Sequence, residues 1–188
     1  MAFCPILWWT RSGAESYDFA HMNDYVKLFS SLHTAKIASI NAPHKAILLL
    51  TIMEMIESGE ISSPRIILTE CFEQMFNTIW GRYIGTSIVF QPKVATPFWH
   101  MQNEPFYRLC LNDGGDLTGI KNPYSVSRLR EKTYALIDRE LFEAMQEQNI
   151  RAELRIVLIS TYLKGLHPRV DKALSVLGLL GLIIQIAA

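Results

Sequence analysis

Ten consecutive residues, Asn41-Ala42-Pro43-His44-Lys45-Ala46-Ile47-Leu48-Leu49-Leu50, constrain this chain more than any others. Proline suits the first turn of a helix, because the N–H it lacks would have found no partner there. The apolar run behind it predicts a buried helix over residues 43–58, closed by Gly59 as a C-cap. His44 and Lys45 then stand beside N–H groups that point out of the helix start, a natural place to hold an anion. Taken alone, such a helix start is structural more often than functional. It gains weight from a second segment far along the chain, Thr96-Pro97-Phe98-Trp99-His100-Met101.

The 188 residues suit one domain, and the apolar fraction of 49% is enough for a core. Eighteen basic residues balance eighteen acidic ones, so no global charge steers the protein to nucleic acid or membrane. Any nucleic-acid site must be a local patch. Residues 121–139 offer one, with Lys121, Arg128, Arg130, Lys132 and Arg139 against Glu131 and Asp138. The cysteines, Cys4, Cys71 and Cys110, make no CxxC pair and no metal-ligand spacing. A reduced, cytoplasmic protein is the simplest inference. Residues 1–21 lack the pattern of a signal peptide and any clear period, and are set apart as a non-native or disordered extension. Residues 173–188 are almost wholly apolar but short of the roughly 20 needed to cross a bilayer. They suggest a buried or self-associating helix, or a truncated end, within a terminal segment 168–188, and no membrane partner.

Periodicity fills in the rest. Helices are expected over residues 23–32, 70–80, 125–136, 139–146 and 150–164, the last two capped by Asp138 and Asn149. Residues 33–42 look like a polar loop, residues 65–68 a short strand or extended entry, and residues 87–90 a short strand. Residues 98–102 and 106–111 are aromatic-rich and predict a hairpin turning at Asn103-Glu104-Pro105. The expected fold is α+β: one mainly helical domain with a small antiparallel sheet, its hairpin near residues 97–111.

Enzymatic motifs are missing. There is no nucleophile elbow, phosphate-cradling glycine loop or HExxH. Asp113 and Asp116 sit in a turn cluster, where aspartate is favoured for bonds to its own backbone. Glu54 and Glu57 share a helix face with no histidine or metal partner. No catalytic residue, metal ligand or cofactor is assigned.

Taken in order, four motifs carry a resemblance. Tyr25-Val26-Lys27-Leu28-Phe29-Ser30-Ser31-Leu32 is followed by Ala42-Pro43-His44-Lys45 and the leucine run. Pro97-Phe98-Trp99-His100-Met101 with Phe106-Tyr107-Arg108-Leu109 comes next, and residues 138–142 and 151–163 close the set. Over residues 22–167 the chain resembles the N-terminal sulfur-binding domain of HNH-type restriction endonucleases, which recognise phosphorothioate-modified DNA. The resemblance implies a DNA-binding domain with a pocket for one modified phosphate, to which His44, Lys45 and Pro97 correspond by position. Thr96 stands where the family often has an aromatic residue, and Arg128 is the candidate for a later family arginine. The family's nuclease half would follow Leu163, where this chain has its apolar tail.

The residue types suit that chemistry. Sulfur in place of a phosphate oxygen is larger, softer and a poor hydrogen-bond acceptor. An apolar wall accepts it, and would strand an ordinary oxygen without water at about 1–3 kcal/mol. The oxygens that remain need His44, Lys45 or backbone N–H groups. The candidate DNA-binding residues are Pro43, His44, Lys45, Thr96, Pro97, Phe98, Trp99, His100 and Arg128, with Pro97, Phe98 and Trp99 as the wall. Phe98 and His100 also suit plain core roles. His33 reads as a surface residue. The reading is a module that targets phosphorothioate-modified double-stranded DNA for a restriction system, with cleavage left to a nuclease partner or an HNH domain. Its rival is a helical interaction module, homodimeric through residues 173–188, that has lost DNA recognition.

Overall fold

A computed structural model describes residues 19–37, 40–87, 89–115, 117 and 124–166. The apolar tail and most of the N-terminal extension fall outside the described residues. The α+β expectation holds: seven α-helices and two small antiparallel sheets among the described residues.

Helix α2 (His44–Glu57) is the centre of the core, with every residue from Lys45 to Met53 buried, and Met55 and Ile56 as well. A helix apolar on all sides must be enclosed on all sides. Helix α3 (Glu70–Tyr83), the short α4 (Ala95–His100) and α7 (Gln148–Leu158) pack around it. Helix α1 (Phe19–Ser30) packs on α7 and inserts Phe29, fully buried, against Phe106 at 5.2 Å. Gly59 follows α2 with φ +79°, a left-handed conformation that suits glycine and ends the helix where the sequence predicts. Thr69 caps α3 by accepting the Phe72 N–H at 3.0 Å.

The predicted hairpin takes a different form. Its second half is strand β4 (Tyr107–Leu111), but residues 95–100 are helical and Met101–Asn103 is a 3-10 turn. Alternation would have sent one of Phe98 and Trp99 outward. A short helix buries both: Phe98 meets Phe72 and Tyr107 edge-on, and Trp99 lies 5.0 Å from Tyr124. Pro97 sits in the first turn of α4, where its missing N–H is harmless. The true partner of β4 is β5 (Thr133–Ile137), in the register Tyr107↔Ile137 and Leu109↔Ala135. This overturns the expected helix over residues 125–136. Helix α5 (Val126–Lys132) stops at Thr133, from which Thr-Tyr-Ala-Leu-Ile turns Thr133, Ala135 and Ile137 into the core with period two.

Strand β3 (Arg65–Ile66) joins the other edge of β5, giving the order β3-β5-β4. Residues 33–42 hold a ribbon of β1 (Lys36–Ile37) and β2 (Ile40–Asn41) where a plain loop was expected. No strand forms among the described residues of 87–90. Helix α6 (Arg139–Ala144) follows Asp138, whose side chain does not cap it. Helix α7 begins at Gln148 and passes into a π-helical turn, Ile159–Leu163.

Because α2 is enclosed on every side, truncating it leaves a hole its neighbours cannot close. Leu48→Ala is expected to lower the unfolding free energy by about 2–5 kcal/mol. Urea denaturation followed by circular dichroism measures it.

Candidate nucleic-acid interface

The start of α2 and the start of α4 face each other across a pocket of about 320 Å³. His44, Lys45, Thr96, Pro97 and His100 all line it, although about 50 residues separate the two groups in sequence. The approach to β1 closes the rim with His33, Thr34 and Ala35, and Ala42 and Asn103 complete it. Pro97 is buried, while Thr96 and His100 are exposed at the mouth. The first intrahelical bond of α2 runs from the Ile47 N–H to the Pro43 carbonyl at 2.9 Å, so the His44, Lys45 and Ala46 N–H groups precede the ladder.

The other candidates lie elsewhere. Pro43 is buried as the N-cap residue of α2, with helical φ and ψ, and does not line the pocket. Phe98 is fully buried and Trp99 nearly so, packed as core aromatics on the far side of α4. The apolar wall therefore consists of Pro97 with Ala35 and Ala42. Arg128 is exposed, stacks 4.1 Å over the Tyr124 ring, and is not a lining residue. Of its basic neighbours, Arg130 pairs with Glu70 and Glu73, and Lys132 with Glu131.

Lys45 carries its charge inward. Its side chain is 7% exposed and its Nζ lies 2.5 Å from Oε1 of Glu104, itself 2% exposed. Glu104 also accepts the His33 backbone N–H at 3.0 Å and lies 3.3 Å from the His33 ring through Oε2. Sequence reading took Glu104 for a turn residue and His33 for an unpartnered surface residue. A buried lysine demands a carboxylate, but nothing local says which one across 59 positions.

His44 is also uncharged in character. Its Nε2 lies 2.8 Å from the Gln91 carbonyl, which can only accept, so Nε2 carries the proton. Trp80 and Phe90 flank the ring at 4.9 and 6.0 Å. Burial holds its imidazole below the usual histidine range; the bond to Gln91 opposes this and Lys93 adds to it. His100 shifts the same way, through burial and then the charge on Lys45. The pocket thus presents the imidazoles of His44 and His100, both made harder to protonate by burial, a lysine matched to a carboxylate, and apolar edges.

Among the described residues no group of three His, Cys, Asp or Glu side chains is gathered to hold a metal, and no helix is long and apolar enough to cross a membrane. Cys71 and Cys110 are free.

No protein-family model and no curated protein sequence matches the chain. Solved structures with the same fold include two sulfur binding domains. The sulfur binding domain of ScoMcrA complexed with phosphorothioated DNA is 15% identical, with a TM-score of 0.58 over 77% of this chain and 90% of that one. The sulfur binding domain of SprMcrA complexed with phosphorothioated DNA is 13% identical, with a TM-score of 0.59 over 78% of this chain and 88% of that one.

Two outcomes follow from the pocket's electrostatics. Glu104→Gln leaves Lys45 buried beside a neutral amide and is expected to cost on the order of 3 kcal/mol of stability. Adding Lys45→Met should recover most of that loss in a denaturation double-mutant cycle. The unfolded chain protonates His44 near its ordinary value of 6.5, and the folded chain only below it. The stability His44 contributes is therefore complete above that value and is lost as pH falls through the folded one. Melting curves from about pH 7.5 to about pH 5 should fall less steeply for His44→Gln than for the unaltered protein.

Proposed function

We propose that this chain is a DNA-binding module that recognises a phosphorothioate linkage in duplex DNA. The observation that carries the reading is the pocket between the starts of α2 and α4, with Pro97, His44 and Lys45 on its walls, in a fold shared with two domains complexed with phosphorothioated DNA. The pocket's weak net charge supports it. An ordinary phosphate oxygen entering there would exchange water for Pro97 and two alanines. It would gain little from a lysine already matched to Glu104, or from the His44 and His100 rings, which burial makes harder to protonate. Sulfur gives up far less hydration and packs against the same wall. Selectivity then comes from exclusion of oxygen rather than from attraction of charge. The oxygens that remain meet the N–H groups at the start of α2.

Within this proposal the module is the targeting part of a modification-dependent restriction system, and cleavage belongs to a nuclease partner or an HNH domain.

A fluorescence-anisotropy titration tests this with two short duplexes at matched, near-physiological salt, one carrying a single phosphorothioate. The expected preference for the modified duplex is about 1–3 kcal/mol, roughly 5- to 150-fold. Pro97→Ala should narrow that ratio by removing the ring from the wall. Equal binding of the two duplexes would overturn the reading.

A further inference from the structure

The outer face of the three-stranded sheet holds a second open groove of about 570 Å³, with Arg108, Cys110 and Tyr134 on its floor and Gln102, Gly114 and Gly115 among its rim. Register explains the grouping. Tyr107, Leu109, Ala135 and Ile137 face the core, so Arg108 and Cys110 on β4 face outward with Tyr134 and Leu136 on β5. Arg65 on β3 pairs with Leu136, and Leu136 pairs with Arg108. One cross-strand row therefore reads Arg65, Leu136, Arg108. With strands about 4.8 Å apart, the two arginine backbones stand about 10 Å from each other.

These arginines differ from most others in the fold. Arg82, Arg130, Arg151 and Arg155 each have a carboxylate within 4.0 Å. Arg65 and Arg108 have none among the described residues. Arg65 instead lies over the Tyr134 ring, 4.1 Å from its centroid, which orients the guanidinium and leaves its N–H edges open. Arg108 is exposed, and the acid that feels it is Asp138, with which it forms no ion pair.

The groove also adjoins the pocket. Gln102 lines the groove and Asn103, the next residue, lines the pocket. Their Cα atoms are about 3.8 Å apart.

We propose that this sheet face is a second nucleic-acid contact, in which Arg108 and Arg65 take phosphates of the same DNA that enters the pocket. The proposal rests on the pocket being a DNA site, and it assigns the two surfaces different tasks. The pocket discriminates sulfur from oxygen. The sheet face supplies affinity that is blind to the modification.

The test is the anisotropy titration repeated at several salt concentrations with Arg65→Gln/Arg108→Gln, its folding checked by thermal melting, and with Arg108→Gln alone. The double variant should bind both duplexes more weakly, on the order of tenfold, with the preference ratio intact. Its dependence of log affinity on log salt should be shallower by about 1.8, and that of the single variant by about 0.9. Unaltered affinity and slope in the variants, while the parent still prefers the modified duplex, would overturn the sheet-face proposal alone and leave that face to an acidic protein partner. A parent without preference whose affinity still falls in the variants would overturn the pocket reading and keep the sheet contact. A parent that binds neither duplex would overturn both.

Discussion

The ion pair between Lys45 and Glu104 is the constraint on which the pocket depends. Both side chains are almost completely withdrawn from water, at 7% and 2% exposure. Neither tolerates that environment alone. Lys45 opens α2, and Glu104 follows the turn after α4, so their contact fixes the two walls relative to each other. Glu104 then accepts the His33 N–H, which ties in the chain leading to β1. One residue earlier, the Leu32 N–H donates to the Tyr162 hydroxyl at 2.7 Å, anchoring the same link to the π-helical turn. Four segments distant in sequence are thereby tied together, and three of them, through His33, Lys45 and Asn103, line the cavity. The rigidity comes from buried polar groups that have partners only in this arrangement.

How much of this was legible in the sequence depended on whether the signal was local. Helix α2 was, because eleven buried side chains and a left-handed Gly59 leave their marks within one stretch of chain. So was the span of α3, whose apolar residues recur at helical spacing. Residues 98–102 were not. Phe-Trp-His-Met has the composition of a strand, and only the positions of Phe72, Tyr107 and Tyr124 make a short helix the better way to bury both aromatics. The same holds for residues 133–137, which follow α5 with no glycine or proline to end it and are drawn into the sheet by β3 and β4 on either side. Strands β1 and β2, two residues each, are too short to show any period.

The candidate site divides along the same line. Pro43-His44-Lys45 marks a helix start, and Thr96-Pro97 a second segment that reads from sequence as the approach to a hairpin. The structure sets His44, Lys45, Thr96, Pro97 and His100 around one pocket. Sequence could not tell which way aromatic neighbours point, so Phe98 and Trp99 were counted with the wall although they belong to the core. It also could not show that Lys45 spends its charge on Glu104. That pairing changes the chemistry of the pocket from an anion clamp to a nearly neutral, partly apolar recess.

A formal net charge of zero looks unfavourable for a DNA-binding protein, but the sum conceals how the charges are used. Glu54 and Glu57 absorb Arg82, Arg151 and Arg155, and Glu70 and Glu73 absorb Arg130, all in joining helices or docking α5 on α3. Those positive charges are matched and project little field. Arg65 and Arg108 stand on the same sheet face with Leu136 between them, and neither forms an ion pair among the described residues. A neutral chain can therefore carry a local positive surface next to a pocket with weak charge of its own. The separation has a physical advantage. A strongly basic pocket would hold an oxygen phosphate as readily as a sulfur one, because Coulomb attraction acts on the charge both share. Under the proposed function, cations placed one turn away would let affinity grow with the backbone contacts while the pocket still rejected what it could not hydrate.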